Sequence, residues 1–384
     1  MSSRFETSLD LTSECGAPFR RGLVRCGAAL LLGRAIKTIG IPGRTIVIVG
    51  RNVGSSRAAE NALATISDEK LVIPISGSVL ESEYLSEPAR LIGNQPIGCI
   101  VAIGGGRTID LGKLLACGIR DTAAARAVIR GDVNARRNVP LIALPTTAGS
   151  GSECTPFAVV YDQGRKASIE NISLVPDVSL VDARFLASAP ASVNAVAGLD
   201  ALCQAIESLL SKFTTPESSV RARRALLIAS QYLRRAVAGE TSAQRAMAIA
   251  GHLAGQAIAI TRTTIPHALS YNLSYSQGIP HGHAVSLSMG RYLELFGSLI
   301  NSSAKLGVWR APYGLIESAL GASQKAPIAK IWGSLLDELG LAPTAKDCGL
   351  SMQDIHKTVD LVDLARMANS PVKLDRSQLI ALFD

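Results

Sequence analysis

The chain has 384 residues, 47% hydrophobic and 18% charged, a balance that excludes long disordered tails and a length that favours two domains of roughly 150 to 200 residues each. The net charge of +8 comes from scattered Lys and Arg with only 4% aromatics, which argues against a nucleic-acid surface and leaves small anionic ligands as partners. Seven cysteines (Cys15, Cys26, Cys99, Cys117, Cys154, Cys203 and Cys348) form no CxxC pair, the pattern of free thiols in a reducing compartment.

The opening MSSRFETSLDLTSECG has acidic residues and no apolar stretch, so no secretory leader is expected. No apolar run is read as reaching the ~20 residues that span a bilayer. A soluble cytoplasmic protein without membrane or nucleic-acid partners is the expectation.

From about residue 44 the sequence alternates β-branched runs with helical stretches. Thr45–Val49, Leu71–Ile75, Cys99–Ile103 and Leu141–Leu144 are continuous apolar runs bounded by Gly or Pro, which predicts strands buried on both faces of a parallel sheet. The alternation predicts a Rossmann-like, doubly wound α/β domain over residues 1–182. After Pro176-Asp177-Val178-Ser179-Leu180-Val181-Asp182, Ala and Leu recur at helical spacing, so residues 183–384 are expected to form an all-helical domain. Helices are predicted over 196–212, 218–238 and 242–261. No linker separates the halves, and a cleft between them is the expected ligand site.

The Cys99–Ile103 strand runs into Gly104-Gly105-Gly106-Arg107-Thr108-Ile109-Asp110-Leu111-Gly112-Lys113. Glycines at a strand-to-helix turn let a pyrophosphate approach bare backbone N–H groups, and the helix dipole favours the anion. The alternative is a plain strand-to-helix turn. A second polar loop, Pro145-Thr146-Thr147-Ala148-Gly149-Ser150-Gly151-Ser152-Glu153, follows the next strand, and ligands of open α/β sheets bind at that edge.

GGGRTIDLGK, PTTAGSGSE, PDVSLVD, GLDALCQAIES and IPHGHA, in this order and spacing, resemble the iron-containing alcohol dehydrogenase family, whose relatives include glycerol dehydrogenase and dehydroquinate synthase. The resemblance is densest over residues 40–295. It implies a dehydroquinate synthase-like fold, a nicotinamide-dependent alcohol dehydrogenase or aldehyde reductase, and a homo-oligomer. Gly105, Gly106, Asp110 and Lys113 would line the cofactor site beside Gly104, Arg107 and Ser150, with Thr146 and Thr147 toward the nicotinamide ribose.

Many NAD-using members carry an acidic residue after the second strand, whereas this chain has Gly50-Arg51 after Ile46–Val49, followed by Ser55, Ser56 and Arg57. A carboxylate repels a 2′-phosphate, whereas Arg and Ser attract it, so NADPH is expected over NADH, the alternative being a solvated basic loop.

The family supplies one Asp and three His to a divalent ion. Asp200, His267 and His281 match three of the four, but Gln204 stands where the iron-dependent members carry His. Glycerol dehydrogenase also uses three protein ligands, so Fe²⁺ or Zn²⁺ is expected, with Gln204 a poor fourth ligand, the alternative being a weakened or absent metal site. Cys203 is expected to be core. His283 is read as a second donor, a proton relay or a structural residue, and Tyr271 replaces a His thought to help the relay in many members.

The run Thr261-Arg262-Thr263-Thr264, with HALSY and PHGHAV after it, resembles the phosphonoacetaldehyde reductase branch. Arg262 with the hydroxyls of Thr261, Thr263 and Thr264 is expected to grip a phosphonate beside the reacting carbon, unless it bridges helices. Three readings remain open: a reductase of small anionic aldehydes, a polyol or simple-alcohol dehydrogenase, and a catalytically silent nucleotide-binding relative.

Overall fold

The computed structural model describes residues 9–10, 21–54, 56–67, 69–77, 79–323, 325–362 and 364–384. Cys15, Ser55 and the amino-terminal segment examined for a leader fall wholly or mostly outside them. The chain divides into two compact units, one ending at Ala189 and the other running Pro190–Asp384. The division follows Asp182 by one short helix, Arg184–Ser188, because its Phe185 packs into the core of the first unit.

Among the described residues of the first unit, seven strands form one sheet: β1 (Leu9–Asp10), β2 (Arg21–Val24), β3 (Arg44–Gly50), β4 (Lys70–Ile75), β5 (Ile97–Gly104), β6 (Leu141–Pro145) and β9 (Val178–Val181), in the order β1-β2-β9-β6-β5-β3-β4. All neighbours are parallel except β1 and β2. Alternate residues of one strand point to opposite faces. In β3, Ile46 and Ile48 join Ile109 and Leu114 of the Gly106–Ala116 helix, while Val47 and Val49 join Leu32, Ala59 and Ala62 on the other face. Both faces of β3, β5 and β6 are therefore covered, which is why they read as unbroken apolar runs, whereas the edge strand β4 buries alternate residues only, contrary to the expectation for Leu71–Ile75. Pro74 is tolerated because β4 ends the strand order, where a missing N–H breaks no ladder.

Three parts of the sheet region were not anticipated, the first being β1 and β2 ahead of residue 44. The PDVSLVD segment supplies β9, inserted between β2 and β6. An antiparallel hairpin, β7 (Phe157–Asp162) with β8 (Arg165–Glu170), forms a separate two-stranded sheet. Its turn residues Gln163 and Gly164 both have positive φ, 50° and 75°, as a tight two-residue hairpin turn demands.

The second unit contains only helices as regular elements among its described residues, including Ala191–Leu210, Pro216–Val237, Thr241–Thr261, Ile265–Ser276 and His281–Ser302. Thr215 caps the second of these in a reciprocal capping box with Ser218, and Pro216 occupies its first turn. By length and composition Ala191–Leu210 is apolar enough to cross a bilayer, contrary to the expectation that no run approaches that length. It is a mostly buried core helix, and Asp200, Gln204 and Glu207 lie along it at i, i+4 and i+7.

Candidate functional site

In the first unit the β5 and β6 loops are fitted to one another without room for side chains. A Cβ on Gly104 would lie 2.3 Å from Thr108 Oγ1, and one on Gly106 would lie 2.9 Å from Ser150 Oγ. The Thr146 N–H donates to the Gly104 carbonyl at 3.1 Å, tying the loops together. Gly105 is the N-cap of the Gly106–Ala116 helix and offers it no side-chain hydrogen bond. The first-turn N–H groups of such a helix suit an anion. Thr147 and Ser150 are half-buried beside it, while Thr146 is buried.

The other expected cofactor residues divide. Arg51 and Arg57 are exposed just beyond β3, and Gly50 is half-buried. The Ser56 hydroxyl accepts from Ala59 N at 3.2 Å and caps the Arg57–Ala64 helix. Arg107 donates to the Val79 carbonyl and lies 4.6 Å from the centre of the Tyr84 ring. Burial pulls its pKa down.

Asp110 and Lys113 are buried against protein groups. Asp110 accepts from Ser152 Oγ and from Val159 N at 2.9 Å. Lys113 Nζ donates to the Phe157 carbonyl and lies 3.5 Å from Asp110. Burial lowers the Lys113 pKa, against the pull of Asp110. These two residues fasten the Gly106–Ala116 helix to the β7–β8 hairpin, a partner the sequence reading lacked.

In the second unit three helices converge. Asp200 comes from Ala191–Leu210, His267 from the first turn of Ile265–Ser276, and His281 from the first position of His281–Ser302. Their ligating atoms all lie within 4.8 Å of one another. Asp200 Oδ1 and His267 Nε2 are 3.2 Å apart, close to the ~3.3 Å between two ligands at tetrahedral angles on bonds of about 2.0–2.1 Å.

Gly282 allows this approach, because a Cβ there would lie 2.0 Å from the Val196 carbonyl oxygen and 3.0 Å from Asp200 Cβ. Tyr271 stacks on His281 with ring centres 6.3 Å apart. Cys203 is fully buried, and burial pushes its thiol well up, as core packing implies.

Glu207 completes the cluster. It is fully buried, its Oε2 bonds His267 Nδ1, and its Oε1 accepts from Thr264 N and Thr264 Oγ1, each at 2.9 Å. The sequence reading missed it. The signal was there: three polar residues on one stripe of an Ala- and Leu-rich helix are costly to bury unless something pairs them.

Burial opposes a charge on His267, but Glu207 and Asp200 outweigh it and push its pKa up to about 9. Burial would raise Asp200, yet His267 and His281 hold its carboxyl below its ordinary value. Two buried carboxylates around imidazoles form a donor set that calls for a cation. Gln204 donates from Nε2 to Asp200 Oδ1 at 3.0 Å, while its Oε1 is buried with no hydrogen-bond partner. An orphaned oxygen one turn from Asp200 fits a neighbouring cation as well. The residues present thus suit a divalent ion held by Asp200, His267 and His281.

Two expectations need correction. His283 lies on the far side of its helix from His281, since residues two apart do not share a face, and its Nε2 bonds the Ala342 carbonyl at 2.8 Å. The hydroxyls of Thr261 and Thr264 face inward, to Ser208 and Glu207, and both residues are fully buried. They hold the loop rather than present a surface for a phosphonate. Thr263 is buried as well, with its carbonyl accepting from Asn369 Nδ2 at 2.8 Å. Arg262 is half-buried with φ 59°, an unusual backbone for a non-glycine residue.

The profile of the iron-containing alcohol dehydrogenases matches residues 20–183, and that of the carboxy-terminal domain of the Fe-containing alcohol dehydrogenase family matches residues 194–384. Phosphonoacetaldehyde reductase of Streptomyces viridochromogenes is 30% identical over 305 residues, covering 73% of each chain. NAD-dependent methanol dehydrogenase of Bacillus methanolicus is 29% identical, over 68% of this chain and 71% of its own. The crystal structure of sulfoacetaldehyde reductase from Bifidobacterium kashiwanohense, in complex with NAD⁺, superposes with a TM-score of 0.82 at 25% identity, over 96% of this chain and 97% of the other.

Proposed function

Because the chain belongs to the iron-containing alcohol dehydrogenase family, a family of oxidoreductases, we propose that it reduces a small anionic aldehyde to the alcohol with NADPH. The observation that carries this reading is the convergence of Asp200, His267 and His281 from three helices. A divalent ion held by them supplies Lewis acidity to a carbonyl oxygen, and the nicotinamide supplies hydride. The protein's own part is to bind and orient. The glycine turn of the first unit takes the pyrophosphate, and Arg51 takes the 2′-phosphate. Tyr271, stacked on His281, stands beside the ligand cluster.

The choice of an anionic aldehyde rests on the likeness to phosphonoacetaldehyde and sulfoacetaldehyde reductases, each named for an aldehyde with an oxyanion group. With the Thr261 and Thr264 hydroxyls engaged internally, Arg262 carries the recognition of that group. The test is steady-state oxidation of NADPH with phosphonoacetaldehyde, sulfoacetaldehyde and uncharged aldehydes of equal length. A kcat/KM preference for the anionic pair, lost in Arg262→Ala with propanal turnover unchanged, supports the reading. Equal rates on charged and neutral aldehydes reject it in favour of a simple-alcohol dehydrogenase.

A further inference from the structure

We propose that Glu207 is a positioning residue that fixes the tautomer of His267 in the ion-bound site, keeping the proton on Nδ1 and leaving the Nε2 lone pair for the ion beside Asp200. The inference rests on the metal reading of Asp200, His267 and His281 and goes beyond it by assigning what makes His267 competent as a ligand.

The geometry leaves little freedom. Glu207 Oε1 receives the Thr264 N–H and hydroxyl at 2.9 Å and the His267 N–H at 3.4 Å. Backbone N–H groups only donate, so an acceptor is required at that position. The remaining oxygen, Oε2, meets His267 Nδ1. A carboxylate there accepts the Nδ1 proton, so the proton that an incoming ion displaces is the one on Nε2, the nitrogen 3.2 Å from Asp200 Oδ1.

His281 obeys the same logic through a neutral group. Ser270 Oγ donates to the His267 carbonyl at 2.8 Å and so turns a lone pair to His281 Nδ1 at 3.4 Å. Both imidazoles are thereby held with Nδ1 protonated by acceptors outside the ligand cluster. A carboxylate on the far nitrogen also makes the imidazole a stronger donor.

Glu207→Gln reverses one atom of this arrangement. The Thr264 and His267 N–H groups still require oxygen at the Oε1 position, so the amide NH₂ must face Nδ1 and donate to it. That forces the proton onto Nε2, where a metal ion must bind. The shape and the contacts to Thr264 are unchanged.

The experiment is titration of the metal-free full-length protein with Zn²⁺ against a chromophoric chelator, for wild type, Glu207→Gln and Asp200→Ala, with thermal melts as the folding control. The expected result is a Zn²⁺ affinity about 10- to 100-fold weaker in Glu207→Gln, with an unchanged metal-free melting temperature. Long-range ¹H–¹⁵N spectra of the zinc-loaded, histidine-labelled wild type should show His267 protonated at Nδ1, a result independent of how the variant folds. Equal affinity in wild type and Glu207→Gln, or a protonated Nε2 in the zinc-loaded wild type, overturns the assignment. Wild type and Asp200→Ala that both fail to bind Zn²⁺ overturn the metal reading and the assignment with it.

Discussion

Gly282 sits so close to Val196 that a Cβ on it would lie 2.0 Å from the Val196 carbonyl oxygen. The obstacle is backbone, which cannot rotate away as a side chain can, so the start of the His281 helix depends on the missing methyl. Gly282→Ala should destabilise the second unit by about 1–3 kcal/mol or more, as overpacking of a tight contact does. It should also weaken Zn²⁺ binding, because His281 moves with its helix. Urea denaturation and chelator competition check both effects, and an alanine variant of wild-type stability would show that the helices are not held this closely.

Gln204 faces Asp200 one helical turn away and leaves its own Oε1 unpartnered. Gln204→His would place an imidazole, a far better ligand for Fe²⁺, at that position. The variant should retain iron through dialysis that strips the wild type. Elemental analysis after dialysis decides it, and equal iron in the two proteins counts against a metal at this cluster.

Arg51 is exposed at the carboxyl end of β3. A hydrogen bond to a charged group contributes about 1.5–3 kcal/mol, which corresponds to roughly 10- to 100-fold in affinity. Arg51→Asp should therefore raise the KM for NADPH by about that factor and leave the KM for NADH unchanged or lower. Steady-state kinetics with both cofactors provides the check, and parallel changes for NADH and NADPH would exclude a 2′-phosphate contact.

Asp182 is a buried carboxylate that closes β9. It accepts from Arg184 Nη2 at 2.6 Å and from Ala29 N at 3.1 Å at the start of a short helix, Ala28–Leu31. Burial would raise its pKa, but the Arg184 guanidinium and the backbone N–H groups outweigh that and hold it below the ordinary value. A carboxyl depressed on folding contributes stability that is present above its unfolded pKa and lost as pH falls through the folded one. Asp182→Asn should thus cost about 1–3 kcal/mol at neutral pH. The gap from wild type should narrow as pH drops below about 4. Urea melts across that range test it, and a constant gap would mean that Asp182 acts by shape rather than charge.

The central strands β3, β5 and β6 were legible because a strand covered on both faces must be apolar at every position. The β7–β8 hairpin was not, since one-faced alternation in Phe157–Asp162 and Arg165–Glu170 is too short to stand out from loop sequence. Its Gln163-Gly164 turn was the available clue. In the second unit, helical spacing placed the Pro216–Val237 and Thr241–Thr261 helices within a residue or two of their observed ends. His283 misled because proximity in sequence to His281 is not proximity on a helix, where residues two apart diverge.

What the sequence alone determined is the α/β half followed by the helical half, and the residue types at Asp200, His267 and His281 that a cation requires, since periodicity and ligand chemistry are both local properties. Which polar groups face one another was decided only when the helices packed. Glu207 became the partner of His267, and Thr261 and Thr264 turned inward, because a buried donor or acceptor must find its complement among residues that lie 53 to 60 positions away along the chain.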